Sequence, residues 1–351
     1  MERVAEPGRA RRPTGGIRPV FDHLNALTDQ RGLFEHALFA APRPEHGYCV
    51  DDAARGLVVT CREPAPGPVV QRLQHRYLTF VLAAISGDGT CHNRMESRGR
   101  WSDEPGLGDW WGRALWGLGV AAAAPSATAG QRARALAGFR VAAQQRSPHT
   151  RASAFAALGA AELLRVRPAE PSALTLLDHV AHTLGRQPAT DAWPWPEPRL
   201  SYSNAALAEA LIVAGDGLAD EFVLARGLEL LSFLMRVQVR DDHLSMAPVG
   251  GWGPDDSPPG FDQQPIEVAA IADACASAFR VTTDASWLLG IDLSIRWFLG
   301  ENDSATVMFD PMTGGGYDGL EPAGRNENQG AESTLAVLST AQQARRLDVT
   351  R

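Results

Sequence analysis

The feature that most constrains the fold is a motif that recurs six times: a polar loop that runs directly into an apolar helix. In the last copy, residues 326–333, Glu332 lies at the mouth of the helix that follows. The copies recur about every 56 residues, a spacing that indicates a repeated two-helix unit with long connections. The anchor residues, one for each copy, are Asp52, Asp109, Arg151, Asn204, Glu267 and Glu332.

Two kinds of predicted helix alternate along the chain. Segments such as residues 69–86 and 218–237 are charged and amphipathic, whereas helices that follow the polar loops, such as residues 152–164, are rich in Ala and nearly uncharged. A helix that is apolar around its whole circumference is buried on all sides. The alternation therefore predicts an all-α fold, an (α/α)6 toroid in which six outer helices enclose six inner ones. A twelve-helix solenoid is the alternative, but its inner helices should carry more charge.

Composition limits the partners. The net charge of −8 argues against nucleic acid, and no window reaches the roughly 18 apolar residues that would cross a membrane. The four cysteines are irregularly spaced, as is typical of free thiols in a cytoplasmic protein. No metal or cofactor motif is present, so we predict neither metal nor cofactor.

We expect three regions along the chain. Residues 1–16 are predicted to be a disordered basic N-terminus, because they are rich in Arg and residues 1–14 lack the apolar core of a signal peptide. Residues 17–345 are predicted to form a single toroid domain, and residues 346–351 a short C-terminal tail.

In a toroid the inner helices run in one direction, so their first turns, with unpaired N–H groups, meet at one mouth. The anchor residues and Asp51 would converge there on a polar basin. Aromatic faces combined with carboxylates and amides suit a sugar. The loops at the same end carry the aromatic residues Trp101, Trp110, Trp111, Trp193, Trp195, Tyr202, Trp252 and Tyr317.

Hydrolysis of a glycosidic bond suits such a basin, because it needs two carboxyl groups, one of them kept protonated. A carboxylate in a first helical turn can equally be a simple cap, and a Trp beside it can belong to the core. Asp109 is assigned an orienting role. The candidates for the acid and for the base or nucleophile are Asp51, Asp52, Glu267 and Glu332.

Four motifs resemble a bacterial six-hairpin glycosidase-like family. They are EHGYCVDDAARG at residues 45–56, GDWWGRALW at 108–116, FDQQPIE at 261–267 and NQGAEST at 328–334. The resemblance extends over residues 17–345 and implies the (α/α)6 fold and a role in bacterial oligosaccharide or polysaccharide metabolism. The adjacent Asp51 and Asp52 also resemble the paired aspartates of α-1,6-mannanases on this fold.

Members of this family are often labelled glycosyltransferases, because some are similar to domains that follow a glycosyltransferase module. A glycosyltransferase is therefore a candidate partner, beside the oligosaccharide or polysaccharide substrate. The sequence shows no Rossmann-like alternation of strands and helices, so transferase activity is not expected of this chain itself.

The basin and the motifs together give a set of residues that we assign to sugar binding. These residues are Glu45, His46, Tyr48, Asp109, Trp110, Trp111, Arg113, Trp193, Trp195, Tyr202, Asn204, Asp262, Gln263, Gln264, Tyr317, Asn328 and Gln329.

Three other functions stay open at this point. A sugar epimerase would need two basic groups, which His46 and His243 supply only if their loops meet. A non-catalytic glycan-binding or assembly module would work beside a glycosyltransferase. A phosphorylase would need a phosphate site, for which the candidates are Arg43, Arg94, Arg113 and Arg325.

Overall fold

The structure, a computed structural model, describes residues 17–186 and 192–349. The predicted disordered N-terminus, residues 187–191 and the end of the predicted tail lie outside the described ranges. Within them the chain forms twelve α-helices: α1 (Asp22–Ala26), α2 (Val50–Cys61), α3 (Pro68–Ala84), α4 (Asp109–Ala123), α5 (Ala129–Ala142), α6 (Thr150–Leu164), α7 (Pro171–Thr183), α8 (Asn204–Leu218), α9 (Glu221–Gln238), α10 (Pro265–Thr282), α11 (Leu288–Phe298) and α12 (Ala331–Val349).

The even-numbered helices form a closed inner ring. Each packs on the next one, and α12 returns to pack on α2. The odd-numbered helices lie outside, so that α3 contacts α2 and α4, and α7 contacts α6 and α8. This arrangement confirms the predicted (α/α)6 toroid, and ring closure by α12 and α2 excludes the solenoid.

Local sequence explains several helix starts. Three helices begin with Pro68, Pro171 and Pro265, whose missing N–H costs nothing at a first helical position. Thr128 forms a capping box with Gln131 at the start of α5. The stripe of Val20, Leu24 and Leu27 predicts a first helix over residues 17–28, whereas α1 spans only Asp22–Ala26.

Short pairs of strands lie at one end of the toroid. In the described part of the chain they are β1 (Ala37–Leu38) with β2 (Ala41–Pro42), β3 (Tyr48–Cys49) with β4 (Arg94–Met95), β5 (Val239–Arg240) with β6 (His243–Leu244) and β7 (Gly319–Glu321) with β8 (Gly324–Asn326), all antiparallel. All of them lie in connections that lead from an outer helix into an inner one. The long loops therefore surround the N-terminal ends of the inner helices.

The inner helices α4 and α6 approach each other closely through glycine. A Cβ atom added to Gly119 would lie 2.0 Å from the carbonyl oxygen of Gly159, and one added to Gly159 would lie 2.2 Å from that of Leu115. Both obstacles are backbone atoms, which cannot move aside as a flexible side chain can. Small residues at these positions thus set the spacing of two neighbouring inner helices.

We expect Gly119→Ala to lower the free energy of unfolding by about 1–3 kcal/mol, because α4 and α6 must separate to admit the methyl group. Gly130→Ala is the matched control, since no described atom lies within 4 Å of a Cβ at this exposed position in α5. That variant should be neutral or more stable by up to about 1 kcal/mol. Urea denaturation measures both, and equal stability of the two variants would contradict the packing argument.

Candidate active site

The first turns of α2, α4 and α12 open onto a basin of about 410 Å³, a volume within the range of small-molecule sites. Its walls are strongly polar. Three arginines, Arg55, Arg94 and Arg113, line it together with six carboxylates. The carboxylates are Glu35, Asp51, Asp52, Asp109, Asp318 and Glu332.

An arginine clamp organises the centre of the basin. Arg55 donates from Nη2 to Oδ1 of Asp52 at 2.5 Å and from Nη1 to Oε2 of Glu332 at 2.8 Å. The thiol of Cys49 donates to the other Asp52 oxygen at 3.0 Å. Both Asp52 oxygens are thus occupied, and its side chain is only 3% exposed. Asp52 therefore positions Arg55, whereas Glu332, with a side chain 39% exposed, faces the basin.

The two carboxylates of the clamp differ in pKa. Burial raises the pKa of Asp52 to about 6, although the positive charge of Arg55 opposes this shift. Burial also acts to raise the pKa of Glu332, but the charges of Arg55 and Arg113 outweigh it and hold that pKa below its ordinary value. Glu332 is consequently ionised at neutral pH, as a catalytic base or nucleophile must be.

Asp51 presents a different environment from its neighbour Asp52. Successive residues of a helix point about 100° apart, and the Asp51 side chain is 19% exposed and turned toward Arg113, whose Nη1 lies 3.6 Å from Oδ1. That Oδ1 atom and Nε of Arg113 are both buried without a hydrogen-bond partner in the described part of the chain. Buried polar atoms are nearly always paired, so these two atoms indicate where a polar ligand binds.

Glu267, predicted as a catalytic candidate, does not line the basin. Its buried carboxylate accepts hydrogen bonds from the backbone N–H groups of Ser203 and Asn204, the latter at 3.2 Å, and from Asn204 Nδ2 at 3.0 Å. It therefore caps α8 from the neighbouring helix α10. Because these contacts occupy both oxygens, we omit Glu267 and Asn204 from the set of groups that would contact substrate.

Tyr202 forms an aromatic wall of the basin. Its hydroxyl donates to Oδ2 of Asp109 at 2.7 Å, and the guanidinium of Arg151 lies 4.5 Å from its ring centroid. Arg151 is fixed in turn by a bidentate pair with Glu197 at 2.6 and 2.8 Å. The anchor residues Asp109 and Arg151 thus hold this ring at the mouth.

The other aromatic residues expected at the basin are not among its lining residues. Trp111 is fully buried and donates to the carbonyls of Gly89 and Ala142, and Trp110 donates to that of Cys91. These indoles stabilise the loops and helix starts from within, since large rings contribute most to stability when buried.

The same correction applies to further predicted aromatic residues. Trp193 and Trp195 pack on Phe233, Tyr48 donates to Asp29, and Tyr317 lies beneath Arg325. Trp101 stacks on His92, and Trp252 packs against Trp193. Of the aromatic set predicted for the basin, Tyr202 is the one in its lining.

Some of the amide residues predicted to bind sugar line the basin, and others do not. Gln264 lines the basin, but Gln263 is buried and binds the backbone of Met246 and the carboxylate of Asp303. Asn328 accepts from the backbone of Phe39, and Gln329 also bonds to Phe39 through its backbone. Asp262 lies outside the lining, while Glu45 and His46 line a neighbouring groove.

Several lining residues escaped the sequence-based assignment. Glu35 pairs with Arg94. Asp318 accepts from the backbone of Gly330 at 2.7 Å and from Ser333 Oγ at 2.8 Å, and burial raises its pKa. The Asp-x-x-Arg spacing of Asp52 and Arg55 was a usable signal for the clamp, because residues three apart share a helix face. Glu35 and Asp318 lie in loops without periodicity and carried no such signal.

One group of possible metal ligands lies at the basin. Donor atoms of Glu35, Cys49 and Asp52 lie within 4.8 Å of one another. Burial raises the pKa of the Cys49 thiol well above its ordinary value, and metals bind the thiolate. Each carboxylate is also already paired with an arginine. This donor set therefore does not fit a metal ion.

Beneath the basin a cavity of about 50 Å³ lies along the ring axis. Buried Glu209 and Asp273 both line it. Asp273 is paired with Arg62 at 2.8 Å, whereas Glu209 accepts a hydrogen bond from Ser277 Oγ at 2.7 Å. Burial and the negative charge of Asp273 raise the pKa of Glu209 to about 7.

This raised pKa makes stability depend on pH. Between the ordinary value of 4.5 and about 7, the unfolded state binds fewer protons at this site than the native state, so stability falls as pH rises. We expect Glu209→Gln to match the parent near pH 4 and to exceed its melting temperature near pH 8. The raised pKa of Asp52 also makes stability fall as pH rises, and this effect remains in the Glu209→Gln variant.

Melting curves across this pH range measure the effect. Glu229→Gln, at an exposed carboxylate of α9, is the control and should leave the pH profile unchanged. A Glu209→Gln profile parallel to that of the parent would show that Glu209 ionises normally.

The fold is shared with several solved structures of carbohydrate enzymes. A sugar epimerase from a ruminal bacterium shares the fold with a TM-score of 0.70 at 13% identity, over 95% of this chain and 96% of that one. D-mannose isomerase gives 0.68 at 10% identity over 93% and 95%. The GH76 α-mannanase from Bacteroides thetaiotaomicron gives 0.59 at 9% identity over 93% and 94%.

These similarities establish the six-hairpin (α/α)6 fold, and the reaction must be argued from the site. No protein-family model and no curated protein matches the chain by sequence. None of the helices in the described ranges combines the length and apolarity needed to cross a membrane.

Proposed function

We propose that the protein is a glycoside hydrolase acting on an oligosaccharide or polysaccharide, which the motif resemblance suggests is bacterial. The observation that carries the proposal is the clamp: the buried Asp52–Arg55 pair holds Glu332 ionised at the basin. Asp51 lies on the same wall with a buried oxygen that has no hydrogen-bond partner in the described part of the chain. Two carboxyl groups at one cavity are the minimum that glycoside hydrolysis requires.

The roles follow from the environments. Ionised Glu332 is the base that activates water, or the nucleophile that attacks the anomeric carbon. Asp51, whose side chain faces Arg113 across the basin, is a candidate for the acid that protonates the leaving oxygen. Asp318 is a second candidate for the acid, because burial raises its pKa. Tyr202 offers an aromatic face to a sugar ring, and Asp109 and Arg113 offer hydrogen-bonding groups to its hydroxyls.

A product screen tests this proposal. The purified protein is incubated with bacterial glycans and nitrophenyl glycosides, with and without phosphate, and the products are identified by mass. We expect a water-dependent product, and the variant that abolishes it, Asp51→Asn or Asp318→Asn, identifies the acid. A product that requires phosphate would instead identify a phosphorylase. Of the four arginines considered for a phosphate site, Arg94 and Arg113 line the basin and could bind phosphate there. Arg43 and Arg325 pair with nearby glutamates.

A sugar epimerase is the second candidate, because a histidine of the basin contacts a histidine of the neighbouring groove. His36 lines the basin, and its ring centroid lies 5.0 Å from that of His46. His243, the other histidine considered from sequence, pairs with Asp303 at 3.0 Å instead. Incubation of reducing sugars in deuterated water separates the candidates, since epimerisation incorporates deuterium next to the carbonyl carbon and hydrolysis does not.

A non-catalytic glycan-binding module predicts a different result. Sugar binding would then persist without turnover, and substitution of Asp51 or Glu332 would leave biological activity unchanged. The glycosyltransferase partner, the cytoplasmic location and the domain limits stay predictions from the sequence.

A further inference from the structure

A third cavity, of about 390 Å³, lies beside the basin between the 3₁₀ turn Pro44–His46 and the loop that follows β4. We call it the outer groove. Its lining is polar apart from Met95, so it suits a hydroxylated ligand more than an apolar one. The polar lining includes Glu45, His46, Arg94, Glu96, Arg98 and Ser102.

Two contacts join the outer groove to the basin. Arg94 lines both cavities, and it is held between them by its ion pair with Glu35 of the basin. The ring of His46, in the outer groove, meets the ring of His36, in the basin, edge to face with centroids 5.0 Å apart. A linear ligand can therefore pass from one cavity to the other along Arg94.

The outer groove differs from the basin in charge. Its carboxylates already have arginine partners from outside the groove lining: Glu45 pairs with Arg43 at 2.8 Å and Glu96 with Arg100 at 2.9 Å. Arg98 has no carboxylate within ion-pairing distance in the described part of the chain, and its carbonyl accepts from Arg31. The outer groove thus offers a free guanidinium, in a protein whose net charge is −8.

We propose that the outer groove is a second saccharide subsite, which binds a sugar unit carrying a carboxylate or similar anion while the adjoining unit lies in the basin. This inference rests on the proposed function, because it specifies the substrate class as an acidic oligosaccharide. Arg98 supplies a planar pair of donors that matches a carboxylate. Ser102 and His46 are placed to bond the hydroxyls of the same unit.

Side-chain NMR of the arginine Nε–Hε groups tests binding without requiring turnover. The probes are sodium glucuronate, glucose and sodium sulfate, each titrated into the full chain. We expect glucuronate to shift the signals of Arg98 and Arg94 in a saturable way, more strongly than glucose or sulfate does. Failure of glucuronate to shift Arg98 overturns the proposal, and an equal response to sulfate overturns its saccharide part.

Matched variants separate a specific contact from overall charge. Arg98→Gln should weaken glucuronate binding by about tenfold, the loss expected for a charge-assisted hydrogen bond. Arg72→Gln removes the same charge from an exposed position on α3, and it should leave binding within about twofold, as expected for a distant charge screened by salt. Equal losses of glucuronate affinity in both variants would show that the loss arises from overall charge, and would overturn the proposed subsite.

The two proposals fail separately. If the product screen finds no hydrolysis but glucuronate still shifts the Arg98 signal, the proposed subsite is supported and the proposed hydrolase activity is contradicted. If hydrolysis is found and glucuronate leaves the Arg98 signal unchanged, the proposed hydrolase activity is supported and the proposed subsite is contradicted.

Discussion

Replacement of Glu332 by Gln is expected to lower turnover by about 10²–10⁴-fold, the usual contribution of a positioned base. The amide keeps the shape of the side chain but cannot act as a base or a nucleophile. Its contact with Arg55 is partly exposed, so stability should change by less than about 1 kcal/mol. Steady-state kinetics on a substrate identified by the product screen, with a urea denaturation curve, measure both effects.

The matched control is Glu301→Gln, at an exposed carboxylate paired with Arg296. It removes the same charge away from the basin and should retain full turnover. A second test uses Glu332→Ala with added azide or formate, small anions that can replace a missing carboxylate. Recovery of turnover supports the assigned role. Full activity of Glu332→Gln would remove Glu332 from the mechanism.

Replacement of Arg55 by Met is expected to cause the largest loss of stability, about 3–5 kcal/mol, because it leaves a buried charge without its partner. Asp52 would retain only the Cys49 thiol as a hydrogen-bond donor. Glu332 would lose the contact that holds it in place, so turnover should fall as well. Urea denaturation at neutral pH measures the stability.

The pH dependence of this loss identifies its cause. Because the pKa of Asp52 is already raised to about 6, the unpaired carboxyl is protonated near pH 5, and the loss should shrink there and grow toward pH 8. Asp52→Asn combined with Arg55→Met should recover part of the stability. Arg165→Met, which breaks an exposed pair with Glu162, should cost less than about 1 kcal/mol. An Arg55→Met loss no larger than that control would contradict a buried clamp.

The architecture was accessible from sequence because its signals are local. The contrast between Ala-rich and charged amphipathic helices reports which helices are enclosed, and that contrast depends only on residues within one or two turns. The positions of Asp51, Asp52, Asp109 and Glu332 at inner-helix starts followed from the same repeat. The structure brings these four side chains to one basin.

The failures of the sequence-based site share a physical cause. Glu267 occupies a helix start like that of Glu332, yet it caps α8, because the loop before that helix turns its N–H groups toward α10. The indoles of Trp111 and Trp195 are both buried. Trp111, in the first turn of α4, donates to the carbonyls of Gly89 and Ala142, and Trp195 packs on Phe233 of α9. The local sequence around a side chain does not determine which distant residue that side chain contacts in the folded protein.

The amino-acid sequence by itself determined the helical repeat, the enclosure of six helices and the end of the toroid where polar side chains gather, since each depends on short-range periodicity. Tertiary structure alone decided which carboxylates face a ligand. Arg55 joins Asp52, three residues away, to Glu332, which is 277 residues away. The physical reason is that ring closure sets this second contact, so the lowered pKa of the buried Glu332 carboxyl is a property of the closed toroid and of no single segment.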